Sequence, residues 1–206
     1  MTNWFEDITC ICGEELIPAY GYEDSKIMII GGYPDEIDTK QGRPMVGRLG
    51  TVLKSELNWL GVHLENVRYG NLWLHAPNER NKINFDWKDG EITSIQYLPD
   101  GTEKVTYLDE HPISLYQACF EKSIVELMKE LEGKEAILLL GKDPVEFFLN
   151  EKVTDVCGLF LPSHLYSGKM MACVNPAIVF QKDSVVGELR LALKKFVTYC
   201  MEHDLL

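Results

Sequence analysis

Residues 26–53 constrain the fold more than any other part of the sequence. They begin with a short apolar run at 27–30 that ends at Gly31 and Gly32, which is typical of a buried parallel strand in an α/β sheet. A loop with prolines and further glycines follows, and apolar residues then recur at helical spacing: Leu49, Val52, Leu53, Leu57 and Leu60. The segment therefore predicts a strand, a glycine-rich loop and a helix whose first amides face that loop.

The loop matches neither common phosphate-binding pattern, because no Gly-Lys-Ser/Thr follows it and its glycines do not fit G-x-G-x-x-G. Two interpretations remain at this point. One is an ordinary strand-to-helix connection that is rich in glycine, and the other is a loop that cradles a ligand.

The order of residues in the loop resembles the first motif of the iron–sulfur uracil-DNA glycosylases of family 4, approximately GEAPG-x5-QGxPFVGxxGxLL. The matching positions are Gly31, Pro34, Gln41, Gly42, Arg43, Pro44, Val46, Gly47, Gly50 and Leu53. Later segments are similar in the same order: Asn71 to the asparagine of NVVKCRPP, Cys119 to the cysteine of EIxACxPxLxxQL, AILLLGKDPVEFFL to VILALGRxAAQALL, and CVNPAIVFQ to the YHPSYLL motif.

The resemblance implies a single domain over residues 1–206, folded as a three-layer α/β/α sandwich with a central four-stranded parallel sheet. Apolar runs predict the strands at 26–30, 66–73, 136–140 and 169–174, with helices at 49–60, 113–131, 145–149 and 185–202. Residues 78–112 depart from the family pattern. Within them, residues 91–108 predict an inserted β-hairpin that pairs 92–97 with 105–108 across the turn at 99–102. This hairpin is either a surface decoration or a contact for a substrate or partner.

The resemblance also implies a site for a flipped DNA base beyond the carboxyl ends of the strands. The residues expected to bind the base are Gly31, Tyr33, Pro34, Met45 and Asn71. Asn71 would offer its amide to the pairing edge of the base, although an asparagine at a strand end also commonly bonds to local backbone.

Three positions of this expected site differ from the family. Gly32 stands where relatives have a glutamate that holds the attacking water, Asn175 replaces the histidine that donates to the base carbonyl, and Met45 replaces the stacking aromatic. The nearest acids are Asp35 and Glu36, and we expect one of them, with Asp35 as the first candidate, to act as the substitute acid and Asn175 to act as a weaker, uncharged donor. Efficient uracil excision by the usual route is not expected, since losing one such group costs about 10²–10³ in rate.

Cysteine and histidine residues coincide with the cluster positions of the family. Cys10, Cys12, His75 and Cys119 form the implied ligand set, but Cys10 and Cys12 are spaced as C-x-C where the family has C-x2-C. Cysteine and histidine together suit either zinc or a 4Fe–4S cluster, and both remain open.

The net charge of −12 argues against tight unspecific binding to duplex DNA and suits docking on a basic protein. Basic residues nevertheless fall in the loops around the expected site, and Arg43, Arg48, Lys142 and Lys182 are the candidates for contacting single- or double-stranded DNA. No apolar run approaches a membrane span and the first residues do not resemble a signal peptide, so we expect a cytoplasmic protein. Two functions are carried forward: a divergent DNA glycosylase, and a catalytically inactive DNA- or protein-binding module of a replication or repair assembly.

Overall fold

The computed structural model describes Cys10, residues 14–76, 115–180 and 185–206, and four two-residue strands between 96 and 112. Its strands are β1 Tyr20–Gly21, β2 Ile27–Gly31, β3 Arg68–Asn71, β4 Gln96–Tyr97, β5 Glu103–Lys104, β6 Tyr107–Leu108, β7 His111–Pro112, β8 Ala136–Leu140, β9 Phe160–Leu161 and β10 Lys169–Cys173. Its helices are α1 Glu36–Gln41, α2 Arg48–Trp59, α3 Leu115–Glu130, α4 Lys142–Leu149, α5 Val153–Val156 and α6 Val186–Glu202, with 3₁₀ turns at Leu64–Asn66 and Pro176–Phe180.

The central sheet confirms the predicted parallel core. Strands β3, β2, β8 and β10 lie side by side in that order and are all parallel, with pairs such as Ile29↔Leu138 and Met171↔Leu138 fixing the register. Short antiparallel strands, β1 and β9, extend the sheet at its two edges, so the described sheet has six strands.

Helices cover both faces of the sheet because its central strands are apolar on both sides. Ile27 and Ile29 point to one face, where they pack with residues of α2 and α6, while Met28 and Ile30 point to the other, where α3 and α4 lie. The two hydrophobic layers give the α/β/α arrangement that the sequence predicted. A chain built this way has its parallel strands fully buried, as the continuous apolar runs indicate.

The inserted hairpin is confirmed at its centre, where β4 and β5 pair antiparallel with Tyr97 opposite Glu103. Tyr107 and Leu108, which the prediction also placed in this hairpin, pair with Pro112 and His111 in a second two-stranded ladder. The rest of residues 77–114 lies outside the described part of the chain.

Among the described residues, no helix is both long enough and apolar enough to cross a membrane.

Candidate active site

The carboxyl ends of the four parallel strands bring the predicted site residues to one edge of the sheet. Strand β2 ends at Gly31, β3 at Asn71, β8 at Leu140 and β10 at Cys173, and the loops that follow them meet there. In open α/β sheets this edge is where ligands bind. Asn71 and Asn175, which are far apart in sequence, therefore belong to the same rim.

Asn71 is the most deeply buried polar group of this rim, with a side chain that is only 2% exposed. Its Oδ1 atom lies 2.6 Å from the position that a Cβ would occupy at residue 31, and the Met45 methyl lies 2.7 Å from the same position. Its Nδ2 atom finds no hydrogen-bond acceptor within the described part of the chain. A buried donor without a partner is costly, so this amide marks a place where an acceptor from another molecule would be stabilising.

The loop after β2 is held in shape by Asp38, which sequence reasoning did not single out. This buried carboxylate accepts hydrogen bonds from the amides of Met45 at 3.1 Å, Val46 at 2.8 Å and Gly47 at 2.9 Å. Met45 itself adopts a left-handed backbone with φ of 61°, which is unusual for a residue with a side chain. The carboxylate therefore fixes Met45 against Gly31 and Asn71.

Asp35, the predicted substitute acid, is the N-terminal cap of α1. Its Oδ1 atom accepts the amides of Ile37 and Asp38, both at 2.8 Å, and Asp38 completes a capping box with the Asp35 amide. Tyr33 beside it is 50% exposed, while Pro34 is buried. The carboxylate of Asp35 thus has a structural task whatever else it does.

Asn175 lies just beyond β10 and is exposed. Its Oδ1 atom accepts the amide of Ala177 at 2.8 Å, which leaves Nδ2 as the free end of the amide. A Cβ at Gly141 would lie 3.2 Å from the Asn175 Cβ, so the loop after β8 packs closely against this residue. Its Nδ2 atom lies near the loop after β8, 3.6 Å from where a Cβ at Gly141 would be.

Asp143, which sequence reasoning also missed as a site residue, lies on the same rim beside Gly32. A Cβ at position 32 would meet the Asp143 Oδ2 atom at 3.4 Å. The carboxylate is half-buried, and this burial raises its pKa above the usual value. The sequence did carry a sign of this role, because Asp143 lies between the apolar run of β8 and Pro144. Residues that directly follow a parallel strand lie at the ligand-binding edge of the sheet.

A cluster of possible metal ligands consists of Cys10, His75 and Cys119, all of which are buried. Their ligand atoms lie within 4.8 Å of one another, and the two sulfurs are 3.2 Å apart. Burial alone would lower the pKa of His75, but its contacts with Cys10 and the Ala76 carbonyl raise that pKa overall. The group could hold a metal ion, and it unites three of the four predicted ligand positions; Cys12 lies outside the described residues.

Most of the chain, including the residues of the rim, matches one known protein family. The model of the uracil DNA glycosylase superfamily matches residues 18–197. The chain belongs to this superfamily. A type-4 uracil-DNA glycosylase of Pyrobaculum aerophilum is 25% identical to it over 182 residues, which cover 87% of this chain and 81% of that relative. The predicted resemblance to the family-4 glycosylases is therefore confirmed.

The basic residues expected to face DNA are exposed on this uracil-DNA glycosylase-like domain. Arg43 stacks on the Tyr20 ring at 4.9 Å from its centroid, Arg48 begins α2, and Lys142 begins α4 next to the rim. Lys182 lies outside the described residues.

A separate groove of about 680 Å³ opens on the other face of the sheet, between β3 and α3. Its walls carry both signs of charge, including Arg68, Lys122 and Glu130. Gly70 faces this groove, since a Cβ there would approach Leu127 of α3, and Asn71 also borders it. Because the Asn71 Oδ1 and the Met45 methyl both approach Gly31 at the end of β2, we assign the base-sized site to the rim.

Proposed function

We propose that this protein recognises uracil or a modified base that is flipped out of single- or double-stranded DNA, and hydrolyses its glycosidic bond. The observation that carries the proposal is the buried Nδ2 of Asn71, which has no partner in the described part of the chain and whose amide lies beside Met45 and Gly31. An enzyme that acts on an extruded base must read its pairing edge with hydrogen bonds and cover its ring with apolar atoms. Asn71 offers a donor and an acceptor for the edge, and the Met45 thioether offers a soft apolar surface for the ring.

Cleavage of the glycosidic bond needs a hydrogen-bond donor to the departing base. It also needs a carboxylate that stabilises the cationic sugar and orients the attacking water. Asn175 can donate Nδ2 to a base carbonyl, since its Oδ1 is already engaged by Ala177. Asp35 is the sequence candidate for the acid, through the oxygen that does not cap α1. Both groups are weaker than a histidine and a freely placed carboxylate, so slow turnover is the expectation.

DNA would approach along the exposed cations of the rim. Phosphates on either side of the flipped nucleotide would be neutralised by four basic residues: Arg43, Arg48, Lys142 and Lys182. Because the chain as a whole carries a charge of −12, this local attraction should be weak and strongly reduced by salt. We place the protein in the cytoplasm.

The convergence of Cys10, His75 and Cys119 fits the ligand set of a tetrahedral metal ion. Two thiolates on one zinc ion lie about 3.8 Å apart from bond lengths of about 2.3 Å, close to the 3.2 Å separation of Cys10 and Cys119. We propose that Cys10, His75 and Cys119, with Cys12, hold zinc or a 4Fe–4S cluster. The bound group would tie the N-terminal segment to α3 and to the residues that follow Asn71, and would supply structure rather than chemistry at the base.

The alternative is an inactive DNA- or protein-binding module of a replication or repair assembly. Gly32 and Asn175 favour it, because both replace groups that catalyse excision in family 4, and the net charge of −12 favours a basic protein partner.

Gly31 offers a test that separates a base pocket from a general DNA surface. Gly31→Ala would place a methyl group within 2.7 Å of both Asn71 and Met45, which fills the proposed pocket without changing any charge. Gly187→Ala, on α6 with open space around it, is the matched control. We expect wild type and the control to bind uracil-containing oligonucleotides better than thymine-containing ones, and Gly31→Ala to lose that preference. Equal binding of both oligonucleotides by all three proteins would favour the binding-module alternative.

A further inference from the structure

One carboxylate on the rim has no structural task in the described part of the chain. Asp143 lies at the start of α4, half-buried, and among the described residues its side chain makes neither a hydrogen bond nor an ion pair. The nearest cation in sequence, Lys142, pairs with Glu146 at 3.8 Å and acts on Asp143 only through its charge. Burial without a partner disfavours a charged group, so the stability of the fold does not explain this side chain.

The position of Asp143 follows from the register of the sheet. Strands β2 and β8 are parallel neighbours with Ile30 opposite Leu139, so the residues just beyond their ends meet. Gly32 has no side chain and leaves the space into which the Asp143 Oδ2 points, 3.4 Å from where a Cβ would be. A carboxylate thus lies at the rim in the space that a longer side chain at position 32 would otherwise fill.

The other two acids of the rim are already committed. Asp38 accepts the amides of Met45, Val46 and Gly47, and Asp35 caps α1 through Oδ1. Moving the Asp38 carboxylate towards a substrate would break bonds that hold the loop, and the second oxygen of Asp35, which does not cap α1, lies against Gly47. Asp143 alone among these three can serve a ligand at no such cost, and a favourable interaction with the α4 terminus is its only competing explanation.

We propose that Asp143, rather than Asp35, is the carboxylate that acts on the glycosidic bond; this rests on the proposed function. The bond between C1′ and the base nitrogen breaks with its electron pair leaving on the base, and positive charge develops on the sugar next to Asp143. A water oxygen then bonds to C1′, and its proton passes to the Asp143 carboxylate and from there to solvent or to the departing base. The products are the free base and an abasic site, with one water consumed.

The experiment combines base release with binding of two abasic-site analogues in DNA. One analogue is a cationic pyrrolidine that mimics the charge on the sugar, and the other is a neutral tetrahydrofuran. Asp143→Asn keeps the shape and removes the charge, and Glu146→Gln, on the exposed side of the same helix, is the matched control. We expect Asp143→Asn to slow base release about 10²-fold or more and to lose the preference for the cationic analogue, with binding of the neutral analogue unchanged.

A rescue variant distinguishes a reacting carboxylate from a structural one. Gly32→Glu combined with Asp143→Asn returns a carboxylate to the same space, so part of the lost activity and the preference for the cation should return. A purely structural Asp143 would lower thermal stability without altering the preference between analogues. Wild-type-like behaviour of Asp143→Asn in both assays, with activity lost in Asp35→Asn, would overturn the assignment and return the role to Asp35.

The two readouts also separate this assignment from the proposed function. Suppose that wild type releases no base yet prefers the cationic analogue, and that Asp143→Asn abolishes this preference. Excision is then not the function of the protein, but Asp143 still lies next to the bound sugar as assigned. If wild type binds both analogues equally, and Asp143→Asn does the same, the assignment is wrong.

Discussion

The Asp38 carboxylate accepts the amide of Val46 at 2.8 Å, and this bond closes the loop that shapes the rim. Because Asp38 also accepts the amides of Met45 and Gly47, Asp38→Ala would leave these three loop amides, as well as that of Asp35, without this acceptor. We expect the free energy of unfolding to fall by about 3 kcal/mol and hydrogen exchange at these three amides to accelerate. Glu151→Ala, at an exposed position, should change stability by less than about 0.5 kcal/mol. Unchanged exchange in Asp38→Ala would show that the loop is held by other contacts.

The cysteine–histidine cluster predicts bound metal in protein purified without oxygen. Cys119→Ser should retain less than about a tenth of the iron or zinc found in wild type, since a hydroxyl is a poor substitute for a thiolate ligand. Cys157→Ser, a half-buried cysteine outside the cluster, is the control and should keep its metal. Elemental analysis and the visible spectrum separate zinc from an iron–sulfur cluster. Wild-type protein that is folded and metal-free would contradict the prediction.

The parallel core could be predicted from sequence because its signals are local and strong. The run at 136–140 is apolar throughout and became β8 with the predicted bounds, and the helical spacing from Leu49 to Leu60 became α2. Helix α1 was not predicted, because its six residues lie within the loop after β2 and their apolar residues do not recur at helical spacing. Its signal was an acid at Asp35 followed three residues later by Asp38, a capping pattern that reads equally as two solvated loop acids.

The site was only partly predictable, for a physical reason. Asn71 and Asn175 were placed by their motifs, but the proximity of Gly32 and Asp143 arises from the register of two strands that are more than a hundred residues apart. No local pattern encodes such a distance. The predicted roles of Cys12 and Lys182 concern residues outside the described part of the chain.

The ion pair between Arg68 and Glu130 links β3 to α3, and we expect it to contribute measurably to the free energy of unfolding. Arg68 is buried and makes two bonds of 2.8 Å to the carboxylate, and it also donates to the Gly21 carbonyl. Glu130→Ala should lower the free energy of unfolding by about 3 kcal/mol, because it leaves a buried guanidinium without its counter-charge. Glu135→Ala, which removes an exposed pair with Lys26, should cost less than about 1 kcal/mol. Equal losses in chemical denaturation would show that the Arg68 pair is effectively solvated.

Asn175 predicts how much of the reaction depends on the donor to the departing base. Asn175→His should raise the rate of base release, since an imidazole donates a stronger bond than an amide, and a gain of about tenfold or more is expected. Asn175→Ala should lower the rate by a comparable factor. Single-turnover measurements isolate this step from product release. Identical rates in all three proteins would place the donor elsewhere.

The central claim is that a base held by Asn71 is cut from DNA, and base release from matched oligonucleotides tests it most directly. The substrates differ at one position that carries uracil, one of a panel of modified bases, or thymine, and alkaline cleavage reveals each abasic site. We predict cleavage by wild type at uracil or at a modified base, none at thymine, and a rate at least about 10²-fold lower in folded Asn71→Ala. Cleavage at no base by wild type, together with unchanged DNA binding by Asn71→Ala, would contradict the claim.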